Sequence, residues 1–522
     1  PPRSTLFPYT TLFRSWKLII FIIWIFILLF PVILGYRNST GELLFSGLIF
    51  NPIDGYSYYA KMQQGAAGEW AFNLPYSAET NNDIYIFTLY LFFGHLSRIL
   101  GISIPIVYQF FRILFAILLF FSLLEFLKSV FNNEDIFFKC AFISLLFGGG
   151  LGWIYFLSGD LPLDFWVAEA FVFLSSLSNP HFILSLLIFV MLLQMILRNY
   201  FGIWNTILIF ILSTILVSIS PFSAIIMGFV FLMNVILVQK FSKESISNLI
   251  VFGIPVGIIG AYQYLTIRAD PILNNWNTQN VTQTPSLLNL LFSFSPLLIG
   301  VFILLFIFWK RKILVEKSLY LLICWIFFGL LMAYVPFNLQ RRFLAGYYLP
   351  LAIVFWKLLG DFYKQFPHKK QTILIYALIG LSLPSSLLIF SGSLNAINHQ
   401  DQIFYYKENI LEATEWLSSK GSHKSIVLAT EDNGRIIPAL ANFKVVYGHP
   451  FESINAEQTK KDVDDFWANN LSEEQSWNLI KKYKVDYIFC EYETTRNSCP
   501  TITSTMEIMY EARNIAIFQV VN

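Results

Sequence analysis

Asp54 is the residue of this chain best placed to do chemistry. It stands in the run Asn51-Pro52-Ile53-Asp54-Gly55-Tyr56-Ser57-Tyr58-Tyr59-Ala60-Lys61, between two apolar stretches. A lone carboxylate at a membrane surface is costly to keep, and such groups are functional candidates by default. An ionised Asp there can take a proton from a hydroxyl that comes within hydrogen-bond reach. The competing role is structural. Asp is a favoured helix N-cap, and the stretch from Tyr56 to Gly68 reads as a short amphipathic helix lying on the membrane. Tyr56 and Tyr58 offer aromatic walls and Lys61 a neighbouring cation, although interfacial Tyr and Trp also serve as plain anchors.

Two further places carry candidates. Segment 158–178 holds Asp160, Asp164, Trp166 and Glu169, and Asn179-Pro180-His181-Phe182 follows at the mouth of an apolar stretch. His181 beside carboxylates can carry a proton, ligate a metal or bind an acceptor; it can equally be a hydrogen-bonded interfacial histidine. The spacing matches no recognised metal motif. Carboxylates suit hard cations, so a divalent cation shared by Asp54 with Asp164 or Glu169 stays open as a cofactor. The third place is Phe337-Asn338-Leu339-Gln340-Arg341-Arg342-Phe343. Guanidinium groups bind phosphate bidentately, and the alternative for Arg341 and Arg342 is anchoring to lipid headgroups. Arg268, beside Asp270 and Pro271, is one more cation. A carboxylate, aromatic walls and paired Arg suit a substrate with a lipid tail, a phosphate and a polar head.

The elements that must position these residues are membrane helices. Apolar residues make up 56% of the chain and charged residues 13%, against roughly 25% charged in soluble domains. Mean hydropathy is +0.60. The 54 Phe exceed the needs of one soluble core but suit a lipid-facing surface. The net charge of +2 gives no ground for a nucleic-acid partner. With about 20 apolar residues per crossing, the expected spans are 16–35, 84–101, 104–127, 137–157, 179–197, 204–220, 222–239, 248–267, 287–308, 318–336, 343–360 and 371–391, so about twelve. Runs this long must be helices, because lipid satisfies no backbone polar group.

Basic loops set the orientation. Lys240 with Lys243, Lys310 to Lys317, and Lys364 to Lys370 share one face, taken as cytoplasmic. Loops 36–83, 158–178, 268–286 and 337–342 then lie outside, as does everything after 391. One conflict remains: two spans between 84 and 127 give the wrong parity, so one of them is an interfacial or re-entrant helix, or a boundary is misdrawn.

Residues 393–522 change character. Short β-type runs at 425–429, 445–447, 485–489 and 516–518 alternate with helical patterns near 405–420, 456–469 and 472–483, which predicts a small α/β domain. Asp432-Asn433-Gly434 reads as a turn, and His449 before Pro450 follows a strand, where it can face the membrane site or simply close a turn. Cys490 and Cys499 can close a local loop if their side is oxidising, whereas Cys140 and Cys324 sit in apolar spans as small hydrophobes. Residues 1–15 repeat Thr-Leu-Phe and resemble translated sequencing-adaptor read-through; they are expected to stand outside the fold, with the native start missing. The expected domains are thus 16–392 in the membrane and 393–522 outside it.

These features resemble the GT-C superfamily of membrane glycosyltransferases, which includes protein O-mannosyltransferases, aminoarabinose transferases and oligosaccharyltransferases. The resemblance lies in an acid in the first outer loop, about a dozen spans and an outer C-terminal domain. Several runs look more narrowly like uncharacterised bacterial GT-C-like membrane proteins: Asp54 to Met62, Gly149-Gly150-Leu151-Gly152-Trp153, Asn179-Pro180-His181-Phe182, Gln340-Arg341-Arg342-Phe343 and Tyr447-Gly448-His449-Pro450. The resemblance implies inverting transfer from a polyprenyl-phosphate-linked sugar to a glycan, lipid or protein acceptor on the outer face of a bacterial cytoplasmic membrane. It makes Asp54 the catalytic base. Arg341 or Arg342, with Lys61, would stabilise the departing phosphate, and Tyr56, Tyr58, Asp164, Glu169 and His181 would line the substrate. Many relatives carry paired acids in the first loop; here Gly55 follows Asp54, so the base role stays open or a partner role moves to Asp164 or Glu169. A flippase of lipid-linked headgroups and a non-catalytic assembly protein are the competing classes.

Overall fold

The computed structural model describes residues 16–198, 202–365, 371–420, 425–492, 499 and 506–521. The expected read-through at 1–15 and the 366–370 part of the third basic loop lie outside the described residues. The fold is a bundle of apolar helices with a small α/β layer on one end.

Among the described residues seven helices are long and apolar enough to cross a membrane, or nine if each bent pair is one span. The bent pairs are Ile136–Phe147 with Gly152–Ser158, and Leu287–Phe294 with Leu297–Lys310. Two shorter apolar helices, Ile203–Ile219 and Lys317–Met332, fall on further expected spans. Trp16–Arg37 shows the common pattern: Leu18, Ile22 and Phe26 face outward, while Trp24 and Leu28 are buried in the bundle.

The expected span at 84–101 is corrected. It is Thr88–Leu100, a helix of 13 residues, roughly 20 Å long and short of the ~30 Å hydrocarbon core. Tyr90, Leu91, Phe93 and Gly94 are buried, and Phe92, Ile99 and Leu100 are exposed. It packs on Pro52–Ala67 at backbone contact: a Cβ on Gly65 would stand 2.0 Å from the Leu91 carbonyl oxygen, and one on Gly94 would stand 1.9 Å from that of Met62. Removing this span restores the parity. Lys17 then meets Glu134 at 2.5 Å and Arg198 meets Glu125 at 3.7 Å, all at the basic end of the bundle. Asp54, Glu169 and Arg342 gather at the opposite end.

A two-stranded ribbon, β1 (Leu43–Phe45) antiparallel to β2 (Tyr405–Lys407), ties the first loop to the start of the C-terminal region. Beyond it lie β3 (Ile426–Leu428), β4 (Lys444–Val445), β5 (Tyr487–Glu491), β6 (Met506–Ala512) and β7 (Ile515–Val520). The sheet order is β4-β3-β5-β7-β6; β3 runs parallel to β4 and β5, and β7 antiparallel to β5 and β6. Val427 faces Val445 on one side and Tyr487 on the other. Helices Glu408–Lys420, Ala456–Trp467 and Glu473–Tyr483 fall at the expected patterns, the last opened by a Ser472–Gln475 capping box. Cys490 and Cys499 are disulfide-bonded.

Asp432-Asn433-Gly434 is not a turn. It forms the first turn of Glu431–Leu440, capped by Thr430. Gly434 is there for clearance, because a Cβ would stand 2.1 Å from the Tyr447 carbonyl oxygen.

The first-loop helix Pro52–Ala67 is the joint between bundle and domain. Asp54, Ser57 and Lys61 share one face of it. Lys61 is 0% exposed, and its Nζ lies 2.6 Å from Glu452 Oε1 and 2.5 Å from Ser57 Oγ. Ser57 donates to the same carboxylate oxygen. The Phe87 ring sits 4.4 Å from the ammonium. Breaking a buried pair by removing one partner strands the other charge. Glu452→Ala is therefore expected to cost about 3–5 kcal/mol, and joint replacement of Lys61 and Glu452 by Met to recover most of it. Denaturant unfolding of the purified protein in detergent checks both outcomes.

Candidate active site

Asp54 is the third residue of its helix, not the N-cap. Asn51 takes the cap position in the left-handed region, φ 47° and ψ 60°, without a side-chain capping bond. Its amide turns inward instead and donates to Asp54 Oδ2 at 2.5 Å. Pro at the start of the helix suits the missing donor, and Gly68, at φ 106°, ends it as the sequence predicts.

The other oxygen of Asp54 meets the C-terminal domain. His449 Nε2 lies 3.4 Å from Asp54 Oδ1. His449 Nδ1 accepts from the Phe451 backbone N–H at 3.1 Å. That bond assigns the proton of the neutral ring to Nε2, which faces the carboxylate. The His449 side chain is 2% exposed while that of Asp54 is 40% exposed. The carboxylate is therefore backed by protein on one side and open on the other. Partial desolvation raises the Asp54 pKa, but the His449 contact, the Arg342 charge and the Asn51 amide outweigh it and hold the group below the usual carboxylate value.

Arg342 is half-exposed and meets Glu169 Oε1 at 3.4 Å. Its charge reaches Asp54 and Tyr58. Arg341 lies with its guanidinium 4.2 Å from the centre of the Trp166 ring, and its Nε is buried without a hydrogen-bond partner among the described residues. Tyr58 stacks on Tyr90 at 4.2 Å, and the Tyr90 hydroxyl contacts His181 Nδ1 at 2.7 Å. Tyr108 donates to Asn179 Oδ1 at 2.5 Å. A small cleft lined by Tyr58, Phe87, Tyr90, His181 and Ile219 opens beside this group, at the end of the Ile203–Ile219 helix.

The placement sorts the expected site residues. Asp54, Tyr58, His181, Glu169, Arg341 and Arg342 gather at one end of the bundle. Of these, Tyr58 and His181 line the cleft itself. Three others stand apart from this group. Tyr56 is 1% exposed and packs into the core shared with the C-terminal domain. Lys61 is sealed against Glu452, so its charge is already matched. Asp164 is buried under the broken span, where its Oδ2 accepts from the N–H groups of Gly150 at 2.9 Å and Gly152 at 3.3 Å. A Cβ on Gly152 would stand 1.7 Å from Asp164 Oδ1, so glycine there makes room for the carboxyl. Arg268 is bonded to Tyr264. No group of three or more His, Cys, Asp or Glu among the described residues is arranged to hold a metal ion. Glu452 and Tyr90 were missed from sequence. Glu452 follows Phe451 without any motif, and Tyr90 lay inside the misread span.

No protein-family model and no curated protein sequence matches the chain. Solved structures do. The oligosaccharyltransferase AglB from Archaeoglobus fulgidus, in complex with an inhibitory peptide and a dolichol-phosphate, aligns with TM-score 0.53 at 13% identity over 92% of this chain and 69% of that one. An oligosaccharyltransferase from Archaeoglobus fulgidus tethered with an acceptor peptide containing the NVT sequon aligns with TM-score 0.51 at 13% identity, over 92% of this chain and 69% of that one. The arabinofuranosyltransferase AftD from Mycobacteria aligns with TM-score 0.50 at 10% identity, over 98% of this chain but 40% of its own length. The chain has the GT-C fold. Within that fold, Asp54 sits in the first loop on the domain-bearing end of the bundle, within reach of the Arg342 charge.

The charge around Asp54 gives a direct test. Infrared titration of the carboxyl band that Asp54→Asn removes is expected to show a midpoint below about 3.9. Arg342→Gln takes away a positive neighbour, favours the neutral acid and is expected to move that midpoint upward.

Proposed function

We propose that this chain is a membrane glycosyltransferase that moves a sugar from a polyprenyl-phosphate donor to a glycan, lipid or protein acceptor on the outer face of a bacterial cytoplasmic membrane. The observation that carries this reading is the half-open Asp54 carboxylate, held ionised by His449, Asn51 and the charge of Arg342, at the domain-bearing end of a GT-C bundle. The dolichol-phosphate bound to AglB supports a lipid-phosphate donor. The membrane part is taken as 16–392 and the outer domain as 393–522.

The chemistry follows from the charges. The acceptor hydroxyl approaches Asp54, which accepts its proton as the new bond to the anomeric carbon forms. The bond from that carbon to the phosphate oxygen breaks, and the electron pair leaves with the lipid phosphate. Arg342 and Arg341 stabilise the anion, an effect that is large in a partly dry site. Asp54 also steadies the oxocarbenium-like state. Attack opposite the leaving group inverts the anomeric centre. The stacked Tyr58–Tyr90 pair and His181 flank the cleft beside the donor.

Mass spectrometry of the purified protein is expected to find bound polyprenyl phosphate, and its absence from every preparation would remove the donor class. Asp54→Asn is expected to insert normally and to lower transfer by at least ~10²-fold. Full transfer by that variant would take Asp54 out of the mechanism.

A further inference from the structure

The segment between β4 and Ala456–Trp467 touches the first-loop helix twice. His449 meets Asp54, and Glu452 meets Ser57 and Lys61. The spacing matches on both sides: Glu452 stands three positions after His449 in a turn, and Ser57 three positions after Asp54, about one turn along its helix. The pair at Glu452 is a sealed ion pair, while the pair at His449 ends on a half-open carboxylate.

His449 has little freedom. Gly448 comes so close to the Glu431–Leu440 helix that a Cβ would stand 2.3 Å from the Gly434 carbonyl oxygen. The Ser453 N–H donates to the His449 carbonyl at 3.0 Å. The ring lies against Tyr76, centroids 5.6 Å apart. Nδ1 is occupied by the Phe451 N–H, and Nε2 has no hydrogen-bond partner in range other than the approach to Asp54. A buried donor left unmatched is costly, so this proton has one destination. The other charged or titratable groups that reach Asp54 are Arg341, Arg342, Tyr58, Tyr90, Tyr108 and His181. None of these comes from the C-terminal domain.

We propose that His449 is a positioning residue for the transfer reaction: its Nε2–H, delivered by the C-terminal domain, holds Asp54 Oδ1 so that the carboxylate presents a free lone pair to the acceptor. This rests on Asp54 being the base. Asn51 holds Oδ2 from the other side, so the carboxylate is clamped between the first loop and the domain. The domain then does more than cover the site, because the base is in register only when the domain is seated.

The test compares His449→Ala and His449→Gln with the parent protein, reading kcat, KM, the acid limb of the kcat/KM profile and the infrared midpoint of Asp54. The Ala variant is expected to lose about 10–100-fold in kcat with little change in KM. Its acid limb and its infrared midpoint are both expected to move up, since the group that favoured the ionised form is gone. Gln keeps an N–H donor and is expected to restore much of kcat and to return the limb downward. If His449→Ala loses activity while limb and midpoint stay in place, or if Gln rescues nothing, the residue only seats the domain and the proposal is overturned. If Asp54→Asn transfers sugar at the full rate, the base reading has failed, whatever His449→Ala does to the infrared midpoint, and positioning for transfer falls with it.

Discussion

The architecture of the site depends on one helix face, Asp54, Ser57 and Lys61 on Pro52–Ala67, being matched by the C-terminal domain. Lys61 is a full charge without solvent, and such a charge persists only when paired and hydrogen-bonded. Glu452 supplies the pairing from far along the chain, and Ser57 bridges to the same oxygen. Once that pair is made, the register between helix and domain is set to within a hydrogen bond. One turn earlier, the same register places His449 against Asp54. The costly buried pair and the half-open acid are thus two ends of a single contact.

The remainder of the fold protects that contact. Thr88–Leu100 braces the first-loop helix from behind through the glycine contacts at Gly65 and Gly94. Tyr76 donates to the Arg435 carbonyl, Gln63 to the carbonyls of Ala439 and Leu440, and the Val445 N–H to the Pro75 carbonyl. These bonds stitch the first loop to the domain along its length. A loop read in isolation as a membrane-surface element is therefore a layer sandwiched between bundle and sheet. That explains why Tyr56 and Tyr59 are buried rather than anchored in lipid.

Most of the bundle was legible because lipid leaves so few options for the backbone. Apolar length alone located most of the long helices. The misread segment, 84–101, failed for a physical reason: an amphipathic helix buried against another protein layer is as apolar in composition as a short span. Its hydrophobic residues face Pro52–Ala67, which composition does not reveal. The parity conflict was the sequence's own signal of that error. Asp54 and the Arg pair stood out as candidates because charges flanking apolar stretches are rare. Glu452 was not, because a carboxylate in a domain of ordinary composition looks like surface until its partner is known. His449 stood out as a residue after a strand and in the Tyr447-Gly448-His449-Pro450 run, but its partner did not; the Phe451 bond that aims its ring is a backbone feature with no signature in composition. Asp432-Asn433-Gly434 misled because Gly served close packing, not a turn.

Transfer at one end and carriage through the bundle make different demands on the placement of charge. A carrier wants polar groups and broken helices arranged around an internal site. Two helices here are broken, but the breaks are packed shut. The Gly149 N–H goes to the Ser382 carbonyl and the Leu151 N–H to that of Phe292, while Asp164 takes those of Gly150 and Gly152. A Cβ on Gly150 would stand 2.0 Å from the Ser293 carbonyl oxygen, which leaves no room for an ion or headgroup at that point. Arg112, fully buried in Ile104–Val130, spends its donors on Gln109 and on the carbonyls of Ser176 and Leu28, so it fastens helices together. Glu125 pairs with Lys128 and Arg198 at the basic end. Asp54 and Arg342, each with a partly open face, stand instead at the far end beside the domain. Charge that is satisfied inside and half-open at one surface suits the proposed transfer better than a path that a headgroup crosses.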